Sequence, residues 1–301
     1  MPRYAQLVVG PAGSGKSTYI SAMLSHAEAS RRQMFAVNLD PAAEVFNYQP
    51  ATDIRELIHV DDIMEELNYG PNGALVYAME YLMDNLDWLT ERLGTMDDDY
   101  ILFDTPGQIE LVSHFGLMKN FAKYLETLNF RVCVVFLLDS QFVSDLSKYF
   151  SSLMVSLITV INLELPVVNI LSKVDKIPPE SRRMIDELLE PSATLLDVDL
   201  PGFRSSAPPP TDASGDHEPS ASTSTSTSTT ASTTVGPRRT AEKFYKLSKA
   251  FATIVDDYSL HKFLPLAINN EDLLNDVLNV VDNSLQYGED GDVAVRDFEE
   301  L

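Results

Sequence analysis

A single cysteine, Cys133, is all the chain has for disulfide chemistry, so no bridge can form within it. It lies in the apolar run 131–138, where a small core side chain is expected rather than a reactive thiolate. Basic residues are also scarce: 22 Lys and Arg stand against 45 Asp and Glu, a formal net charge of −23. That deficit argues against direct binding of nucleic acid, which needs a basic face. It leaves a polyphosphate ligand open, because exposed charges beyond roughly 8–10 Å are screened while a local lysine or a cation is not. Long hydrophobic runs are missing too. The most apolar stretch, 153–171, contains Glu164 and Pro166 and reads as a helix end followed by a strand, not a membrane span. The start, Met1-Pro2-Arg3-Tyr4, has neither the basic nor the apolar segment of a signal peptide, so a cytoplasmic or nuclear protein is expected.

What the chain does have is alternation. Short apolar runs at 5–9, 34–39, 100–103, 132–138, 167–171 and 263–266 read as buried parallel strands. Amphipathic patterns at 16–26, 74–93, 115–128, 144–163, 241–257 and 271–285 read as the helices between and after them. Such a succession predicts a three-layer α/β domain with a mostly parallel six-stranded sheet, helices on both faces and helical additions. One domain is expected over 1–287, interrupted at 203–237 by a segment of Ser, Thr, Pro and Ala that lacks the apolar surface to offset its ordering entropy. Residues 288–301 read as an acidic, mobile tail.

The strongest local signal follows the first strand: Gly10-Pro11-Ala12-Gly13-Ser14-Gly15-Lys16-Ser17-Thr18 carries the eight-residue P-loop spacing and leads into a helix. Glycines let backbone N–H groups, including those of Gly13, Ser14 and Gly15, curl round phosphate oxygens. Lys16 reaches the β- and γ-phosphates, and the Ser17 hydroxyl suits Mg²⁺. Alone this leaves kinase, ATPase and GTPase open. Asp104-Thr105-Pro106-Gly107-Gln108 sits where a strand ends, at the carboxyl edge that α/β sheets present to ligands. Asp104 is placed for Mg²⁺, directly or through a water, with a Gly107 N–H directed at the γ-phosphate and Gln108 near an attacking water. Asp40 ends the second strand on the same edge, and is a candidate to hold the metal or orient water. Ser172-Lys173-Val174-Asp175 looks like the guanine-reading Asn-Lys-x-Asp motif with Ser in place of Asn. Asp175 would accept from the ring N–H and amino group, and the stem of Lys173 would cover the base. Gly70-Pro71-Asn72 reads locally as a Pro turn with Asn72 capping the next helix.

Taken in order, the P-loop, Asn38-Leu39-Asp40-Pro41-Ala42, Gly70-Pro71-Asn72, Asp104-Thr105-Pro106-Gly107-Gln108 and Ser172-Lys173-Val174-Asp175 resemble the GPN-loop GTPases over nearly the whole chain outside the 203–237 insertion. The ending, with Tyr258-Ser259, Phe263-Leu264-Pro265-Leu266 and Gln286-Tyr287-Gly288-Glu289-Asp290, is most similar to the third eukaryotic branch of that family. The resemblance implies a dimeric GTPase using Mg²⁺, with GTP as substrate and GDP as product, in which Asn72 reaches the partner's active site. It also implies a heterodimer with the first paralogue, a homodimer being the alternative. Service in assembly and nuclear import of RNA polymerase II follows from it too, with shuttling between cytoplasm and nucleus. The resulting expectation is slow GTP hydrolysis with Asp40, Gln108 and Asn72 as catalytic residues. A nucleotide-held assembly scaffold and a P-loop small-molecule kinase are the competing readings.

Overall fold

The computed structural model describes residues 2–94, 100–108, 111, 116–144, 146–177, 189, 249–250, 253–254 and 262–288. The 203–237 insertion, most of the helix expected over 241–257, and the 288–301 tail after Gly288 fall outside them.

Seven strands form one sheet in the order β3-β2-β4-β1-β5-β6-β7, and every pairing is parallel. They are β1 (Arg3–Val9), β2 (Phe35–Asn38), β3 (Thr52–Asp53), β4 (Tyr100–Asp104), β5 (Phe130–Asp139), β6 (Val167–Ser172) and β7 (Phe263–Leu266). Parallel neighbours need a crossover. Around the sheet lie α1 (Lys16–Ala29), α2 (Val60–Leu67), α3 (Pro71–Asp84), α4 (Leu86–Leu93), α5 (Leu117–Thr127), α6 (Leu146–Leu163) and α7 (Glu271–Leu285). Helices on both faces bury the sheet in two apolar clusters. One contains Leu7, Val134, Phe103 and Phe121, and the other Val8, Ile20, Val135 and Val277. Alternate residues of β1 and β5 thus face opposite layers, as the period of two requires.

The chain runs from β1 to β2 on one side of the sheet and later crosses from β4 to β5 on the other, with β1 between them. Ligands of open α/β sheets bind outside the carboxyl ends at such a reversal. Val9, Asn38, Asp104, Asp139 and Ser172 end their strands on that edge.

Three expectations change. The sheet gains a seventh strand, the two-residue β3, which pairs Thr52 with Val37 and Asp53 with Asn38 but has no apolar run to announce it. The helix read over 74–93 breaks at Asn85 (φ −121°, ψ 38°), whose side-chain amide donates to Tyr81 O at 2.7 Å. And α3 starts at Pro71 with Gly70 as its N-cap, so Asn72 lies inside the first turn rather than capping it. Proline at that first position costs nothing, because its missing N–H would have been unpaired there anyway.

Helix α7 is fastened to the far end of the sheet by a polar chain. Arg32 makes a two-pronged ion pair with Asp282 at 2.6 and 2.8 Å and lies between the rings of Tyr100 and Tyr287. Tyr100 donates to the same carboxylate at 3.0 Å and accepts from the Gln6 amide at 2.8 Å, and Tyr19 donates to Gln6 Oε1 at 2.8 Å. Buried polar groups are stable only when partnered, and here each partners the next. Cys133 is fully buried beside this layer, and burial pushes its thiol up to about 12, as a core role requires.

Candidate nucleotide site

The turn after β1 bends through left-handed glycines, Gly13 at φ 79° and Gly15 at φ 96°. Side chains avoid this region, so these positions favour glycine. Ser14 N donates to Pro11 O at 3.1 Å, and α1 begins at once with Lys16. The turn and the helix N-terminus therefore share one phosphate-sized edge, where backbone N–H groups and the helix dipole favour an anion. Lys16 is 8% exposed, and its ammonium donates to Gly10 O at 3.2 Å. Burial lowers its pKa, opposed by the carboxylates of Asp104 and Asp40.

Both carboxylates act on Lys16: Asp104 ends β4, whereas β2 stops at Asn38 and leaves Asp40, expected at its end, two residues into the following turn. Asp104 is 2% exposed; burial raises its pKa, while the hydroxyls of Ser17 and Tyr48 and the Lys16 charge favour its ionised form. Tyr48 donates to Asp104 Oδ2 at 2.8 Å, whereas Oδ1 is buried without a satisfactory hydrogen bond. Asp40 is likewise raised by burial, against the Ala42 N–H and Lys16. A buried carboxylate oxygen with no partner calls for an explanation, and a hard divalent cation supplies one. Asp104 Oδ1, the Ser17 hydroxyl and Asp40 are hard oxygen donors that fit Mg²⁺, which binds through one or two carboxylates plus substrate phosphates.

Gln108 and Asn72 come from distant parts of the sequence and meet within one chain: Gln108 Nε2 donates to Asn72 Oδ1 at 2.9 Å, on the surface. Asn72 thus stands beside the Asp104-to-Gln108 segment in cis. Gly107 abuts the phosphate turn; a Cβ there would come within 2.9 Å of Ala12 Cα. Gly107→Ala is therefore expected to keep the fold while forcing the two segments apart, an overpacking cost of about 1–3 kcal/mol. The check is GTP and GDP titration: if a Gly107 N–H meets the γ-phosphate, as the motif implies, GTP affinity should fall more than GDP affinity.

The base-reading candidates divide. Ser172 is buried, and its hydroxyl lies within hydrogen-bond distance of Ser14 O at 2.6 Å and Leu138 O at 3.1 Å, bracing the phosphate turn. Lys173 (φ 60°) donates to Gly13 O and to Asp139 Oδ2, both at 2.6 Å, and its stem lies over Gly15. Asp175 follows on an exposed 3₁₀ turn with its carboxylate open to solvent. Thr18, the next residue of α1, also lines a groove of about 640 Å³ between α1 and α7.

Sequence reasoning missed two residues here. Asp139 ends a strand on the same edge as Asp104, and the rule that singled out Asp104 would have found it. Tyr48 carries no comparable signal, because it lies in a loop with neither periodicity nor motif.

Comparison with known proteins agrees with this geometry. A family model described as "Conserved hypothetical ATP binding protein" matches residues 8–287. GPN-loop GTPase 3 of Danio rerio is 44% identical over 97% of this chain and 91% of its own length. The protein of the same name from Mycosarcoma maydis is 41% identical over 96% and 94%. Among solved structures, a GTPase from Pyrococcus abyssi crystallised in apo form shares the fold with a TM-score of 0.67, at 21% identity over 93% of this chain and 97% of that one. A phosphate turn on the sheet's central strand, with Gly70-Pro71-Asn72 set against Gln108 and curated relatives matched almost end to end, makes this chain a member of the GPN-loop GTPase family.

Proposed function

We propose that the chain binds GTP with Mg²⁺ and hydrolyses it slowly. The observation that carries this reading is the buried, unpartnered Asp104 Oδ1 next to Lys16, at the mouth of a phosphate-cradling turn. The N–H groups of Gly13, Ser14 and Gly15 and the Lys16 ammonium hold the phosphates. Ser17, Asp104 and Asp40 hold the cation, which when bound neutralises charge on the β- and γ-phosphates. Gln108 orients the attacking water, steadied by Asn72, and Asp40 lies on the same side. The work is positioning and electrostatics. Arg55 is engaged by Asp53 and Ala43 O, so it is not offered as the finger that speeds related enzymes by on the order of 10³–10⁵. Slow turnover of the isolated chain follows.

The description of the matching family names ATP and the relatives' names say GTPase, so the base needs its own argument. Asp175 is an exposed carboxylate beside Lys173, suited to the N–H and amino group of guanine, which adenine does not present together. Dimerisation is supported by the exposed Leu67, Tyr69 and Tyr81 around Gly70-Pro71-Asn72. On the resemblance of its motifs and ending, the partner is the first paralogue and the client is RNA polymerase II during assembly and nuclear import, with the chain moving between cytoplasm and nucleus. Among the described residues no helix is long and apolar enough to cross a membrane. A scaffold with negligible hydrolysis is the second reading, favoured by the capture of the Gln108 amide by Asn72.

The test is titration of the purified chain with GTP, GDP, ATP and ADP in Mg²⁺, alone and with its paralogue, followed by phosphate release. Guanine-selective binding with release is the expected result. Binding without release in either sample supports the scaffold, and preference for adenine nucleotides overturns the reading of Asp175.

A further inference from the structure

Between β2 and β3 the chain forms a strap, residues 40–51, whose contacts do more than connect two strands. It is fastened at several points: Arg55 Nη1 donates to Ala43 O at 2.8 Å, Ser21 Oγ to Asn47 O at 3.0 Å, and Ala51 N to Ala36 O at 2.8 Å. The Arg55 guanidinium covers the Phe46 ring at 4.6 Å, and Phe46 packs on Tyr48 at 5.3 Å between centroids. Arg55 is itself held by Asp53, which also accepts from Asn38. A strap pinned in this way delivers the Tyr48 phenol to one place, Asp104 Oδ2, at 2.8 Å.

The consequence lies in what remains of the carboxylate. Asp104 is almost wholly buried; one oxygen is taken by the phenol and the other is unpartnered. We propose that Tyr48 is a positioning residue for Asp104: by occupying Oδ2 it leaves a single oxygen for a divalent cation, and so favours Mg²⁺ over Ca²⁺. Mg²⁺ demands a near-ideal octahedron built from single oxygens, whereas Ca²⁺ accepts six to eight ligands and readily takes both oxygens of one carboxylate. A phenol on Oδ2 blocks the two-oxygen mode without touching the one-oxygen mode. The inference rests on the proposed nucleotide-and-cation function of this site and adds a determinant of cation choice that the motifs do not contain.

The experiment uses the full chain loaded with a fluorescent GDP analogue and follows nucleotide release against Mg²⁺ and, separately, Ca²⁺ concentration. It reads binding rather than turnover. In Tyr48→Phe the Mg²⁺ concentration for half-maximal retention should rise about tenfold, the scale of losing a hydrogen bond to a charged group. The Ca²⁺ value should stay within about twofold or fall, on the same scale. Phe46→Leu removes one ring contact and leaves the phenol and the strap's fastenings at Ala43, Asn47 and Ala51 in place, so the Mg²⁺-to-Ca²⁺ ratio should stay as in the parent chain. Equal shifts for both cations, no shift, or the same loss of selectivity in Phe46→Leu would each overturn the proposal. If the parent chain retains the nucleotide with neither cation, the functional reading falls and the inference with it. If the parent retains it with Mg²⁺ and Tyr48→Phe keeps its selectivity, the inference alone falls.

Discussion

Lys16→Ala should lower GTP affinity by on the order of 10²–10³, and GDP affinity by less. The asymmetry follows from reach. The ammonium at this position of a phosphate turn lies between the β- and γ-phosphates, so its loss removes more from the triphosphate. Its environment sharpens the effect, because the group is buried beside Asp104 and Asp40, where water does little to replace a missing positive charge. Without it two carboxylates and the phosphates share one side of the site with only the bound cation between them. The fold should survive, since the ammonium's bonds run to the carbonyls of its own turn, Gly10 and Pro11. Equilibrium titration with both nucleotides, with circular dichroism confirming the fold, is the check. GTP binding at parental strength would remove the basis for reading residues 10–17 as a phosphate cradle.

The second large effect is on stability and lies at the opposite end of the sheet. Asp282→Ala should cost about 2–3 kcal/mol, somewhat under the range for breaking a buried ion pair because both partners keep some solvent access, with side chains 16% and 17% exposed. The loss has three parts. The Arg32 guanidinium keeps its position between two rings but loses both carboxylate oxygens, and Tyr100 loses the acceptor for its phenol. In addition, α7 loses its ion-pair anchor to the α1–β2 connection, keeping its apolar face of Leu274, Val277, Leu278, Val281 and Leu285 and the contact between Asn275 and His26. For a domain of this size the midpoint of thermal unfolding should fall by about 5–10 °C. Urea titration of Asp282→Ala, Arg32→Ala and the double variant measures the coupling. Strictly additive losses would mean that the pair contributes nothing beyond its separate contacts.

How much of this was legible beforehand differs from element to element. The core strands were plain, because a strand buried on both faces must be apolar throughout: the run at 132–138 became Phe130–Asp139, and the run at 167–171 became Val167–Ser172. β3 was not, since two residues, Thr52 and Asp53, carry no pattern at all. The break at Asn85 was hidden because Leu82, Leu86 and Leu89 keep a helical spacing across it, and neither Gly nor Pro marks the place. Helix α2 was missed although Val60, Ile63, Met64 and Leu67 keep the helical spacing, because the pattern lasts only eight residues, short of what separates a helix from a loop by periodicity. At the site, Lys16, Asp104 and Asp40 were legible because each belongs to a short motif at or just past the carboxyl end of a strand. The bond between Asn72 and Gln108 was not, because a contact across 36 positions depends on how α3 is set against the sheet. Ser172 shows a subtler gap. Its place in the motif was visible, but its hydroxyl turned toward Ser14 O and Leu138 O rather than outward, an orientation that only packing decides.

The parallel pairing of β6 with β7 has an evolutionary consequence. Asn169 is opposite Phe263 and Ser172 opposite Leu266, so both ends of a very long excursion, Ser172 and Phe263, are fixed by the sheet itself. For a chain whose ends are fixed, the entropy of closing a flexible loop grows only with the logarithm of its length, and doubling it costs about 0.6 kcal/mol. Added length between these strands would therefore have little thermodynamic consequence for the nucleotide edge, and the Ser/Thr-rich sequence falls in this interval. The same insertion within the turn between β1 and α1 would pull Lys16 away from its carboxylates. Selection thus has one place in this domain where length is nearly free and another where a single residue is not.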